Sequence, residues 1–221
     1  MGTPAAAQLL QQWDALGAGL GLAGPRWHRE GRRLLRSWSR WPRRYHDLHH
    51  LAACLRHAEA HAAALRDPAA VRLALWFHDA VYWPWSRHNE SRSAAWAERF
   101  LQGAGLAPAR IAAVVAHILA TARHQPGDDP DTAWVLDIDL AVLGQDRAAY
   151  AAFEHGVRSE YRWVRWKTYR AGRSAVLRGF LERPRIYLTD AFHMRCDAAA
   201  RRTLQEALDA LAAGRLFARD L

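Results

Sequence analysis

Imidazoles and carboxylates fall in three short runs along this chain: Tyr45-His46-Asp47-Leu48-His49-His50, then His78-Asp79, then Asp137-Ile138-Asp139-Leu140. Apolar stretches at 73–77 and 133–136 lead into the second and third runs, so burial is predicted there. Desolvating an unpaired carboxylate is prohibitively costly. A bound cation satisfies a carboxylate and an imidazole at once; a His–Asp hydrogen bond or an Arg–Asp pair at a helix end is the plainer alternative. Two His and two Asp around one divalent metal leave positions open for water and substrate, which is the chemistry of hydrolysis. Mixed nitrogen and oxygen donors do not suit the closed thiolate sites of structural zinc. They suit Mn, Fe, Co, Ni, Mg or catalytic Zn. Asp137 and Asp139 would diverge by about 200° on a helix, so only one can face a given site, and spacing alone leaves open which.

The elements that must position these groups read as helix after helix. Ala, Leu and Arg dominate, all strong helix formers, and Val and Ile form no alternating runs from which to build a sheet. Helices are predicted at about 5–16, 25–38, 45–65, 68–81, 89–103, 107–123, 131–143, 146–163, 165–182 and 195–214. Pro68 and Pro108 stand at helix starts, Asp131 and Asp146 as N-caps, and Gly103, Gly144 and Gly214 as stop residues. The segment 125–131 is the clearest loop. The expected fold class is all-α: one domain over 1–221, with a core bundle at about 40–145 and C-terminal helices at 146–221 packed on it. With 45–65 as one helix, His46 and His50 share a face and His49 lies near it. His117 and His124 also share a face, but about 10.5 Å apart along the axis. Two catalytic ions about 3.5–4 Å apart would not take both. His124, beside the loop, is the better candidate, as a phosphate contact or a weak second-metal ligand.

The chain carries a net charge of +9, nearly all of it arginine; Lys167 is the only lysine. This is either compositional bias or a field that attracts anionic substrates or nucleic acid. Arg43 and Arg44, just before the first run, are candidate phosphate contacts or a solvated basic corner. Arg158, Tyr161, Arg170 and Arg173 are lesser candidates. Apolar residues make up 51%, with 11 Trp, so a globular protein is expected. No stretch approaches the roughly 18 apolar residues of a membrane span, and the start does not read as a secretory signal. Cys54 and Cys196 are expected to be buried thiols. Together these features predict a cytoplasmic protein with no membrane partner.

The three runs together resemble the HD superfamily of metal-dependent phosphohydrolases, whose pattern is H…HD…D on an all-α bundle. Here His50, His78-Asp79 and Asp139 match it. The run Tyr45 to His50 also resembles the YHNxxH run of cyclic-nucleotide phosphodiesterases, with Asp47 in place of Asn. Their ADL segment is similar to Ile138-Asp139-Leu140, which selects Asp139 over Asp137. Trp76-Phe77-His78-Asp79-Ala80-Val81-Tyr82, Asn89-Glu90-Ser91-Arg92-Ser93-Ala94, Thr121-Ala122-Arg123-His124, residues 137–144 and Arg158-Ser159-Glu160-Tyr161 look like a bacterial group of predicted HD phosphohydrolases.

The resemblance implies a divalent metal held by His50, His78, Asp79 and Asp139. A metal-activated water would attack a phosphate ester or anhydride, of a nucleotide or a small phosphorylated metabolite. His46 would be the acid for the leaving oxygen and Glu90 a carboxylate that orients water, or else a cap or surface pair of its own helix. Arg44 and His124 would contact phosphate. Two other functions remain as alternatives. One is an HD-type di-iron oxygenase, which needs extra His ligands that only His117 and His124 offer. The other is a non-catalytic, Arg-rich module that binds nucleic acid or protein.

Overall fold

The computed structural model describes residues 4–218, and they are all-α. The ten α-helices are α1 (Pro4–Gly19), α2 (Pro25–Trp38), α3 (Leu48–Ala60), α4 (Pro68–Phe77), α5 (Asn89–Ala104), α6 (Pro108–Thr121), α7 (Pro130–Asp139), α8 (Arg147–Glu160), α9 (Trp166–Leu181) and α10 (Asp190–Ala212). Short 3-10 turns follow α3 and α7. Chain compactness divides the molecule into two units, up to Ile138 and from Asp139 onward. Among the described residues no helix is long and apolar enough to cross a membrane.

The first unit is built around α4. Every residue from Leu73 to Phe77 is 1% exposed or less, so the second half of this helix is apolar all round because it is enclosed all round. It packs against α3, α5 and α6. Asp67 caps it by accepting the Ala70 N–H, with Pro68 behind it where no N–H is needed. A second layer, α1 on α2, interlocks through two tryptophans. Trp13 donates to the Trp27 carbonyl at 2.8 Å and Trp27 to the Trp13 carbonyl at 2.9 Å, with the rings stacked at 4.5 Å. Each indole lies on a glycine of the other helix. A Cβ at Gly17 would sit 2.4 Å from the Trp27 ring, and one at Gly31 2.3 Å from the Trp13 ring. Trp38, the last residue of α2, donates to the Trp76 carbonyl at 3.0 Å and ties this layer to α4.

Two predicted helices end differently. The 45–65 segment starts its helix only at Leu48, because the Asp47 carboxylate accepts the His49 and His50 N–H groups and caps there. His46 therefore precedes the helix, and its relation to His50 is not the i,i+4 face sharing that was expected. The 68–81 helix stops at Phe77, which leaves His78 as its C-cap and Asp79 in the following turn. Asp131 is not an N-cap either. Asp129 accepts the Asp131 N–H at 3.0 Å and starts α7 instead. The α5 stop is Gly105, at φ 84°, and not Gly103, because only the former needs the left-handed region.

The second unit packs α10 against α9 and against the 140–144 turn. Gly144 is required there: a Cβ would meet Cys196 Cβ at 2.6 Å. Its core holds an ion pair. Arg173 donates to Glu154 at 2.5 Å, and the buried Tyr150 hydroxyl donates to the same carboxylate at 2.8 Å. That commitment withdraws Arg173 from phosphate binding. Burial, offset in part by Arg173, pushes the neighbouring Tyr169 hydroxyl up to about 12. The last helix starts at Asp190, five residues earlier than expected, because Thr189 caps it through the Phe192 N–H.

Candidate metal centre

His50, His78 and Asp139 are brought together: each offers a donor atom within 4.8 Å of the others. Different elements carry them. His50 sits in the first turn of α3, positioned by the Asp47 cap; of the residues 46, 49 and 50, it alone is buried. His78 ends α4, at the end of the most enclosed helix. Asp139 is the last residue of α7. Asp137, fully buried one half-turn earlier, is not in the group.

The His78 ring is oriented by its own helix. Nδ1 lies 2.9 Å from the Leu75 carbonyl, which can only accept, so Nδ1 carries the proton and Nε2 presents its lone pair. Asp79 Oδ2 stands 3.6 Å from that Nε2. The Trp38 ring packs on His78 at 5.4 Å and Tyr45 on His50 at 4.9 Å, while the two imidazoles lie 5.5 Å apart. These walls exclude water from one side and hold both rings toward each other. A neutral imidazole with its lone pair aimed inward, beside carboxylates, is the donor set a divalent cation takes.

The remaining expected residues fall around this group. His46 stacks on Tyr82 at 4.3 Å and lies 6.0 Å from His50, ring to ring. His49 points to solvent, and its ring lies 3.3 Å from the Asp47 carboxylate. Glu90 occupies the first turn of α5 and is outside the donor group. The segment around it has a clear structural task. Asn89 accepts from the Trp83 N–H at 3.1 Å and donates to the Trp83 carbonyl at 2.9 Å, and Ser93 accepts from Val81 at 3.0 Å. These bonds clamp the turn that follows His78-Asp79. Arg44 is exposed. Arg43 is buried, and its guanidinium donates to the carbonyls of His46 at 2.7 Å and Asp79 at 2.6 Å. It braces the site's backbone and does not clamp phosphate.

His124 lies in the turn after α6 at φ 47° and, like His117, is outside the group. His117 has its own pocket. Its Nδ1 lies 3.0 Å from Thr132 Oγ1, and Asp129 Oδ2 stands 3.9 Å from Nε2, which has no hydrogen-bond partner among the described residues. Burial lowers the His117 pKa, and the raising effect of Asp129, Asp131 and Asp67 does not overcome it.

One feature of this unit escaped the sequence reading. A cleft of about 850 Å³ between α2 and α5 is lined by six arginines, with no Asp or Glu among its walls. Its signal is helical periodicity: Arg29, Arg33 and Arg36 on α2, with Arg40 just past its end, and Arg92, Trp96 and Arg99 on α5.

No protein-family model, no curated protein and no solved structure matches the chain.

Proposed function

We propose that the protein is a metal-dependent phosphohydrolase of the HD type, acting on a phosphate ester or anhydride of a nucleotide or a small phosphorylated metabolite. The observation that carries this reading is the convergence of His50, His78 and Asp139 on one point, with donor atoms within 4.8 Å. His50, His78 and Asp139 would hold the cation, and Asp79, beside His78, would complete the set. A divalent cation bound there would lower the pKa of a water and neutralise phosphoryl oxygens. The protein's own groups supply the rest. The Leu75 carbonyl keeps the proton of His78 on Nδ1, so Nε2 remains a donor. Arg43, bonded to the Asp79 carbonyl, holds the turn that carries the second carboxylate. His46, kept by Tyr82 beside His50, gives a ring proton to the leaving oxygen.

The test is metal analysis of the purified protein, then a phosphate-release screen over nucleotides and small phosphate esters with Mn, Co, Ni and Mg added. Release that depends on metal and disappears in His78→Ala and Asp139→Ala, with helicity unchanged, supports the reading. A protein that binds metal stoichiometrically yet releases no phosphate from any ester or anhydride overturns it.

A further inference from the structure

The α2–α5 cleft does not end at its own walls. It shares Trp83 and Arg92 with a second hollow that includes Trp85 and Arg87, and Arg33, Trp96 and Arg99 with a third that includes Arg26 and Arg29. The three hollows therefore form one continuous track. From Arg29 to Arg36 the basic face of α2 alone runs about 10 Å at helical rise, and Arg40 follows just past the end of the helix. A small-molecule site is one pocket of roughly 300–1,000 Å³; the central hollow alone fills most of that range, at about 850 Å³. A row of connected hollows fits an extended ligand better than a single compact one.

The chemistry along the track is uniform. Arg36, Arg92 and Arg99 are exposed and have no carboxylate partner among the described residues. Among the described residues that line the three hollows the one acid is Glu30, in the third, where it pairs with Arg33 at 3.5 Å and accepts from the Trp96 indole. Aromatic faces alternate with the charges. The Arg33 guanidinium stacks on Trp96 at 4.4 Å and Arg40 on Trp83 at 5.6 Å. Trp41 and Trp85 are 59% and 55% exposed, so indole surface is open to a ligand beside the charges. Guanidinium forks match phosphate oxygens, and indole faces match any nucleobase. An acidic peptide would use the charges and leave the rings idle. A bilayer surface is flat, whereas these groups line a concavity.

We propose that this track binds single-stranded nucleic acid, with its exposed arginines on the backbone phosphates and the exposed tryptophans stacked on bases. The inference does not rest on the hydrolase reading, since nothing in the track needs a metal. The two are neighbours all the same: Arg43 and Tyr82 line the central hollow, and Tyr82 carries His46 on its ring.

The experiment is fluorescence anisotropy of a labelled mixed-sequence ten-nucleotide single strand with the full chain in EDTA, which separates binding from metal chemistry. Expected is binding that weakens steeply with salt, with a slope of about −0.7 per phosphate contacted. Arg36→Glu/Arg92→Glu/Arg99→Glu should weaken it at least 30-fold, roughly the loss of several phosphate contacts, and Trp41→Ala about 5- to 150-fold. Arg178→Glu/Arg195→Glu/Arg202→Glu, the same charge change on exposed arginines of the second unit, should leave it within about twofold, since those arginines contact no phosphate under this proposal. Helical circular dichroism and melting report that each variant is folded. The proposal is overturned if no strand binds, or if the two triple variants weaken binding equally, which would mean diffuse basicity. Equal competition by mononucleotide at the same phosphate concentration, or stronger competition by an acidic peptide, duplex or anionic lipid vesicles, also overturns it.

Discussion

Two pockets bring imidazole and carboxylate side chains together and differ in what those side chains are occupied with. At His50, His78 and Asp139 the donors converge, each from a separate helix. At His117 a histidine again lies among carboxylates, those of Asp129, Asp131 and Asp67. There the acids are committed to the backbone. Asp131 accepts the N–H groups of Arg66 at 3.0 Å and Asp67 at 2.8 Å, while Asp67 caps α4 and bonds Arg110. Imidazole and carboxylate close together therefore do not make a metal site. Lone pairs left aimed at a common point do. The His117 pocket is a clamp that joins α7 to the start of α4, and the His50 pocket is the one proposed to hold a cation.

The largest test of this contrast is thermal. A cation at one hundred times its Kd stabilises by about 2.7 kcal/mol, a rise of roughly 5–10 °C in a chain of this size. Wild type and His117→Gln should both show the rise with Mn or Co, and His78→Ala and Asp139→Ala should not. Loss of the rise in His117→Gln alone would reverse the assignment of the two pockets.

Next in size is Asp131→Ala. It strands two part-buried backbone N–H groups, and at about 1 kcal/mol for each, the low end of the cost of an unpaired group because water reaches them in part, it should cost about 2 kcal/mol in chemical denaturation. Metal affinity should be unchanged. Asp47→Ala should cost about 1 kcal/mol as a lost N-cap but also weaken metal binding, because Asp47 sets the first turn that carries His50. A calorimetric titration showing equal metal affinity would remove Asp47 from the site.

The smallest effect is in pH. Burial lowers the His117 pKa from 6.5, so the folded state keeps this ring neutral while the unfolded chain takes up a proton. The unfolded state then binds more protons below about pH 6.5, so stability falls as pH drops through that value. His117→Gln should flatten this part of the denaturation midpoint measured from pH 7.5 to 5. An unchanged slope would place the titrating group elsewhere.

Much of the helical frame was legible in the chain, for definite reasons. Pro68 and Pro108 mark helix starts, and Asp146 caps α8 through the Ala149 N–H at 2.8 Å, as expected. Side-chain assignments were harder. The Asp47 cap was hidden inside a run read as helix. Asp131 reads as a cap in the sequence because its partners, Arg66 and Asp67, lie more than sixty residues away. Arg43 read as a phosphate clamp because nothing local reveals carbonyls waiting to accept from it. The Arg and Trp stride along α2 and α5 was visible as periodicity, but only two helices side by side turn two charged stripes into a cleft.

Local physics, in this protein, decided what a short segment can decide by itself: helix propensity, proline and aspartate at helix starts, and apolar stretches that bury the His78-Asp79 and Asp137–Asp139 runs. Which of several imidazoles and carboxylates meet was decided by packing. Hydrogen bonds and close approaches between residues far apart in the chain commit some of these groups to the backbone and leave others facing one another, and periodicity along one helix holds no record of its neighbours.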